Sequence, residues 1–205
     1  MHFDDNPTLV DLIRHGEPEG GARFRGSQDD PLSALGWQQM RSAILPEERW
    51  DRVVTSPLLR CQQFADEVAS RLGVPLHLEP RLQEIGFGEW EGLTAEEIRA
   101  RDGELLDQFW RDAAAVVPPG AESMVAFTQR VQSAWQDWTR ECRGQRVLLV
   151  CHGGVIRAVL GHILTLPLER TLSAFAVPYA SRSRIRLDDT PHGTLTCLLS
   201  HGYHD

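Results

Sequence analysis

The 205-residue chain contains no C-x-x-C pair; its four cysteines, Cys61, Cys142, Cys151 and Cys197, are scattered. That pattern argues against a disulfide framework and reads as buried or partly buried free thiols in a reducing cytoplasm. No apolar run approaches the roughly 18 to 20 residues needed to span a bilayer. The start, "MHFDDNPTLV", has neither the basic end nor the apolar stretch of a secretory signal. No linker rich in proline, glycine or serine divides the chain, and no segment repeats, so one domain over residues 1–205 is expected. Cationic excess is missing too: 21 basic against 29 acidic residues give a formal charge of −8. A broad nucleic-acid or membrane-binding surface is thereby disfavoured, whereas a small basic pocket is not. Tight metal-ligand spacing is confined to His201 and His204, in a polar tail that reads as frayed, so no metal and no other cofactor is called for. A cytoplasmic soluble protein is the expectation.

What is present is a core: 41% of the residues are hydrophobic. Three helices announce themselves. In "DPLSALGWQQMRSAI" Ser33 is the N-cap and Trp37, Met40 and Ile44 share a face. In "SPLLRCQQFADEVASRLG" Ser56 reads as the cap, Pro57 as the first helical residue and Gly73 as the stop. The third opens near Ser123, with Met124, Phe127, Val131, Ala134, Trp135 and Trp138 at helical spacing. Between and beside them lie "TLVDLI", "DRVVTS", "VPLHLE" and "RVLLVCH", short apolar runs without strict alternation. Such runs predict a mostly parallel sheet covered on both faces. "VIRAVLGHIL" predicts another helix, and "SRSRIRLDD" with "TLTCLLS", joined by "TPHG", predicts a hairpin that makes the sheet mixed at one edge. From about 85 to 120 the pattern weakens to a lid-like excursion, with Thr94 and Glu97 as a capping box before a short helix.

Ligands of open α/β sheets sit beyond the carboxyl ends of the strands. Arg14, His15 and Gly16 follow the first strand, Arg60 follows the second, Arg81 and Glu84 the third, and His152, Gly153 and Gly154 the fourth. Two histidines, two or three arginines and one carboxylate on one rim are equipment for handling a phosphate group. Each residue alone has a dull reading, as a surface arginine, a structural histidine or an acidic loop residue; the joint pattern carries the argument.

The blocks "LIRHGE", "SPLLRCQQFA", "LQEIGFGEWEG" and "VCHGGVIRAVL", in that order, resemble the histidine phosphatase superfamily, also called phosphoglycerate mutase-like. The resemblance implies a three-layer α/β/α sandwich. It implies a phosphomonoester hydrolase in which His15 is the nucleophile and forms a phosphohistidine without a metal. Arg14, Arg60 and His152 would hold the phosphoryl oxygens beside Gly153, and Glu84 would protonate the leaving alkoxide. For these roles His15 needs an unprotonated attacking nitrogen while His152 is most useful as a cation, so the site must push two identical groups apart.

Within the superfamily, "RHGEP", "FRGSQDDPLSALGWQQM", "FGEWEG", "PPGAESMVAFTQRV" and "HGGVIRAVL" are most similar to the bacterial α-ribazole phosphatases. That likeness implies removal of the 5′-phosphate of α-ribazole 5′-phosphate in cobalamin biosynthesis. The excursion is modest and acidic, from Glu89 to Asp112, which reads as unfavourable to a doubly charged mutase substrate. Gly21 stands where many relatives have asparagine, and Ala121 where glycine is frequent. Ser27 and Gln28, at variable positions, and Trp90 and Trp110, in the excursion with Phe87, are the candidates for substrate contact; the aromatics read first as anchors of the excursion to the core and second as a stacking surface. Two alternatives stand beside this reading. One is a broad-specificity sugar or nucleotide phosphatase of the same mechanism, and the other a non-catalytic phosphate-binding or regulatory scaffold. The partner implied is a small phosphomonoester, and a homodimer is left open.

Overall fold

A computed structural model describes residues 6–202. Its elements are β1 (Thr8–Arg14), α1 (Ala34–Ser42), β2 (Arg52–Thr55), α2 (Leu59–Leu72), β3 (Leu76–Leu78), α3 (Ala95–Arg111), α4 (Met124–Glu141), β4 (Arg146–Cys151), α5 (Gly153–Ile163), β5 (Arg182–Thr190) and β6 (Gly193–Gly202). They form one six-stranded sheet in the order β3-β2-β4-β1-β5-β6. β1 to β4 pair in parallel, and β5 runs antiparallel to β1 and to β6. The α/β architecture and the mixed edge are as the sequence predicts.

Adjacent strand residues point to opposite faces, and both faces are filled. Val10, Leu12, Val54, Val147 and Leu149 join one buried cluster with Phe127, Val131 and Val155 of α4 and α5. Ile13, Val53, Leu148 and Val150 join another with Met40, Cys61, Phe64 and Val68 of α1 and α2. Burial on both sides is why these strands read as continuous apolar runs rather than as alternating ones.

The cap signals at Ser33 and Ser123 hold: their side chains accept from the N–H groups of Gly36 and Ala126. Thr94 and Glu97 close a capping box in both directions. The helix it opens is 17 residues long with a kink at Asp102, not short as expected, because its buried Ile98, Leu106 and Phe109 dock on the core. Ser56 does not cap α2. That helix starts at Leu59, whose N–H donates instead to the Asp29 carboxylate at 2.6 Å, from a loop 30 residues earlier. The tail expected to fray is the edge strand β6 up to Gly202. His201 there bonds Ser183 Oγ and the Ala176 carbonyl, while His204 lies outside the described residues. Among the described residues no three His, Cys, Asp or Glu side chains are grouped to hold a metal ion, and no helix is long and apolar enough to cross a membrane. Cys61, Cys142 and Cys151 are buried free thiols, and Cys197 is an exposed one.

Candidate active site

Three parallel strands end side by side. His15 N–H bonds the Cys151 carbonyl at 3.0 Å and Ser56 N–H bonds the Val150 carbonyl at 3.1 Å, so the residues that follow β1, β2 and β4 converge. The His15 and His152 rings meet edge to face with centroids 5.2 Å apart. Nδ1 of His15 lies 2.7 Å from the Gly16 carbonyl, an acceptor only, so Nδ1 carries the proton and Nε2 is left with the lone pair. Gly16 is needed for a reason the sequence did not reveal: a Cβ there would collide with the Gly36 carbonyl oxygen of α1.

The cations are buried beside these rings. Arg60 is wholly buried; it donates to the carbonyls of Gln28 at 2.6 Å and Gly26 at 3.0 Å, fixing the loop before α1. Arg14 donates to the Val177 carbonyl at 2.6 Å, and its guanidinium lies 4.2 Å from the centroid of the Tyr179 ring. The Nε atoms of both arginines are buried with no hydrogen-bond partner. Buried unpaired N–H groups are costly. Two of them beside an imidazole lone pair form a donor set suited to a multivalent anion such as a phosphoryl group.

Glu84 completes the set from a loop after β3. Its Oε2 accepts from Gly154 N–H at the start of α5, at 3.0 Å, and Oε1 accepts from Ile85 N–H at 3.1 Å. A side chain on Gly154 would strike the Glu84 carboxylate, so that glycine makes room for the acid, and one of the two glycine amides after His152 already serves it. Arg130 of α4 holds this loop in register. It donates to the carbonyls of Arg81, Gln83 and Glu84 and to both oxygens of Glu122. Gly153 starts α5 immediately after His152, facing Arg14 and Arg157.

The electrostatics depart from expectation at one histidine. Burial, then Arg60 and Arg14, push His15 well below the ordinary imidazole value, which favours the ring with a free lone pair. His152 is pushed down as well, by burial first and then by Arg60, His15 and Arg14, so its ring is neutral here and not the cation expected. Complete desolvation beside fixed guanidinium charges outweighs any pull toward protonation.

Further expected site residues lie elsewhere. Arg81 turns away from the rim to Glu79 and Asp137. Trp90 is fully buried, donates from Nε1 to Asp102 and packs on Phe109, so it anchors the excursion and offers no surface to a substrate. Ser27 and Gln28 present backbone N–H groups to the Glu91 carboxylate, which also takes the N–H groups of Gly26 and Phe87. Trp110 is 55% exposed and flanks Phe24 with centroids 6.1 Å apart. The cleft itself is lined by Arg14, His15, Arg23, Phe24, Phe87 and Tyr179, with Arg25 and Pro18 beside them and Glu84 as its one acid. Four acids of the excursion have partners within or beside it: Glu91 as above, Asp102 with Trp90 and Arg101, Asp107 with Arg99, and Asp112 with the amides of Ala114 and Ala115. Tyr179 was missed because it stands in no quoted block, and Phe24 and Arg130 because their blocks mark likeness without assigning them a use; only their tertiary neighbours mark them.

The family model described as the histidine phosphatase superfamily (branch 1) matches residues 10–196. The chain belongs to that superfamily. A glucosyl-3-phosphoglycerate phosphatase of Mycolicibacterium vanbaalenii is 34% identical over 77% of this chain and 75% of its own length. A 2,3-bisphosphoglycerate-dependent phosphoglycerate mutase of Rhizobium etli is 33% identical over 81% of this chain and 84% of its own. Among solved structures, the α-ribazole phosphatase from Shigella flexneri superposes with a TM-score of 0.80 at 27% identity, covering 96% of this chain and 98% of that one. This histidine phosphatase is accordingly a phosphatase enzyme by family.

Proposed function

We propose that this histidine phosphatase hydrolyses phosphomonoesters through a phosphohistidine on His15, with no metal, and that α-ribazole 5′-phosphate is its substrate. Nε2 of His15 attacks phosphorus and the ester oxygen leaves; Glu84 delivers the proton that makes it an alcohol. Water then attacks the phosphohistidine, giving up its proton to Glu84, and inorganic phosphate departs with His15 restored. Arg14 and Arg60 turn their unpaired Nε–H groups to the charge on the equatorial oxygens, and His152 donates a further hydrogen bond.

The observation that supports a ring-bearing substrate is the aromatic wall. Phe24 and Phe87 line the cleft with centroids 5.0 Å apart, and Tyr179 lines it beside Arg14. Such a wall suits a flat heterocycle carried by the ester. A second reading, a sugar-phosphate phosphatase of wider range, is favoured by Arg23 at the rim, a partly exposed cation beside the same wall. The deciding measurement is kcat/KM across α-ribazole 5′-phosphate, 3-phosphoglycerate, glucosyl-3-phosphoglycerate, sugar phosphates and nucleotides. A preference of at least about tenfold, or 1.4 kcal/mol, for α-ribazole phosphate is expected. An equal or better rate on the sugar acids would overturn that choice. Absence of trapped phosphate on the protein with every ester would favour the non-catalytic scaffold.

A further inference from the structure

Ser56, the residue that reads as a helix cap and is not one, sits wholly buried at the end of β2 with its hydroxyl oxygen 2.8 Å from Nε2 of His152. The same oxygen receives the Leu58 backbone N–H at 3.4 Å. That N–H can only donate, so it takes a lone pair of the hydroxyl oxygen. The hydroxyl has one proton to give, and among the described hydrogen bonds Nε2 of His152 is the one partner able to accept it. Cys61 Sγ lies 3.8 Å from Nδ1 and 3.7 Å from Nε2, too evenly placed to fix either nitrogen. An accepting Nε2 puts the imidazole proton on Nδ1.

We infer that Ser56 is a positioning residue: its hydroxyl holds His152 as the Nδ1–H tautomer and so fixes which ring nitrogen is available to donate to the phosphoryl group. This rests on the proposed role of His152 at the phosphoryl oxygens. The arrangement also lets the pair adapt. A hydroxyl can also turn from donor to acceptor, so Ser56 keeps a bond to His152 if the ring gains a second proton beside a phosphate dianion; an aliphatic side chain can serve neither state.

The test reads the tautomer directly, from two-bond nitrogen–proton correlations in protein labelled with 15N-histidine at neutral pH. Wild-type His152 should show the Nδ1–H pattern, and Ser56→Ala should give a mixture of tautomers. In the same variant kcat should fall about tenfold, the effect of one lost hydrogen bond to a buried group, while KM shifts by less than about twofold. Ser56→Thr, which keeps the hydroxyl, should recover both. A wild-type Nε2–H pattern would overturn the inference even if no variant folded, and so would a Ser56→Ala enzyme with unchanged tautomer and kcat. The tautomer readout needs no turnover, so a protein inactive on every ester would sink the phosphatase reading and leave this one standing or falling on its own spectrum.

Discussion

The strand ends that carry His15 and His152 and the excursion that carries Phe87 and Trp110 hold their side chains by different means. At the strand ends, backbone pairing sets position: β1, β2 and β4 end in register, the two imidazoles are buried, and the Nε atoms of Arg14 and Arg60 are buried without a hydrogen-bond partner. In the excursion, side chains hold side chains: Trp90 on Asp102, Glu91 on four backbone amides, aromatic edges on aromatic faces. The first region leaves polar groups unsatisfied at a point where charge is to be handled, whereas the second satisfies its polar groups and leaves apolar surface. In the proposed reaction, charge stabilisation falls to the first and substrate choice to the second.

Breaking the first region should cost the most. His15→Ala should abolish turnover and the labelled phosphate trapped on the protein after acid quench; a variant that still traps phosphate would move the nucleophile elsewhere. Glu84→Gln should slow alkyl esters by about 10²–10⁴-fold and p-nitrophenyl phosphate far less, since nitrophenolate leaves without help. Equal losses on the two would count against the acid assignment. Trp90→Ala should lower unfolding free energy by about 3–5 kcal/mol in urea titrations. Its effect on substrate preference should be smaller than that on stability, because the ring is fully buried and reaches the cleft only through Phe24, with centroids 5.8 Å apart.

Acidity sharpens the contrast further. Burial and the arginines hold His15 and His152 below the ordinary imidazole value of 6.5 in the folded protein. Below that value the unfolded chain binds more protons than the folded one, so stability present above it is lost as pH falls through the depressed values. The urea midpoint should decline on the acid side of pH 6.5, and the acid limb of kcat/KM should likewise lie below it; a limb above would contradict the neutral His15. The smallest change is expected at the rim: Trp110→Ala should lower kcat/KM for α-ribazole phosphate by about two- to fivefold, the scale of one aromatic contact, and leave p-nitrophenyl phosphate unaltered. An unchanged value for both would remove Trp110 from the substrate site.

Residues fixed by short-range rules were legible. Ser33, Thr94 and Ser123 announce their caps because the bonded partners lie three residues on. The proximity of Arg14, His15 and His152 was legible because Arg14 ends a buried strand and each histidine directly follows one, and sheet topology converts that position into proximity. Ser56 was misread because its nearest rule-based use, capping α2, competes with a bond to His152 that is 96 residues away in sequence. Trp90 and Arg81 were misplaced for the same reason, since a tryptophan in a loop or an arginine after a strand has no sequence mark for which neighbour will claim it.

The sequence by itself determined the elements, the mixed sheet and the set of groups gathered at its carboxyl edge, because hydrophobic pattern and strand order act locally and repeat. The tertiary structure alone decided which atoms of those groups remain available. It put the proton of His15 on Nδ1, kept His152 uncharged, withdrew Trp90 and Arg81, and brought Tyr179 against Arg14 across 165 residues of chain. Protonation, burial and hydrogen-bond partners depend on distances between segments remote in sequence, and those distances exist only once the layers have packed.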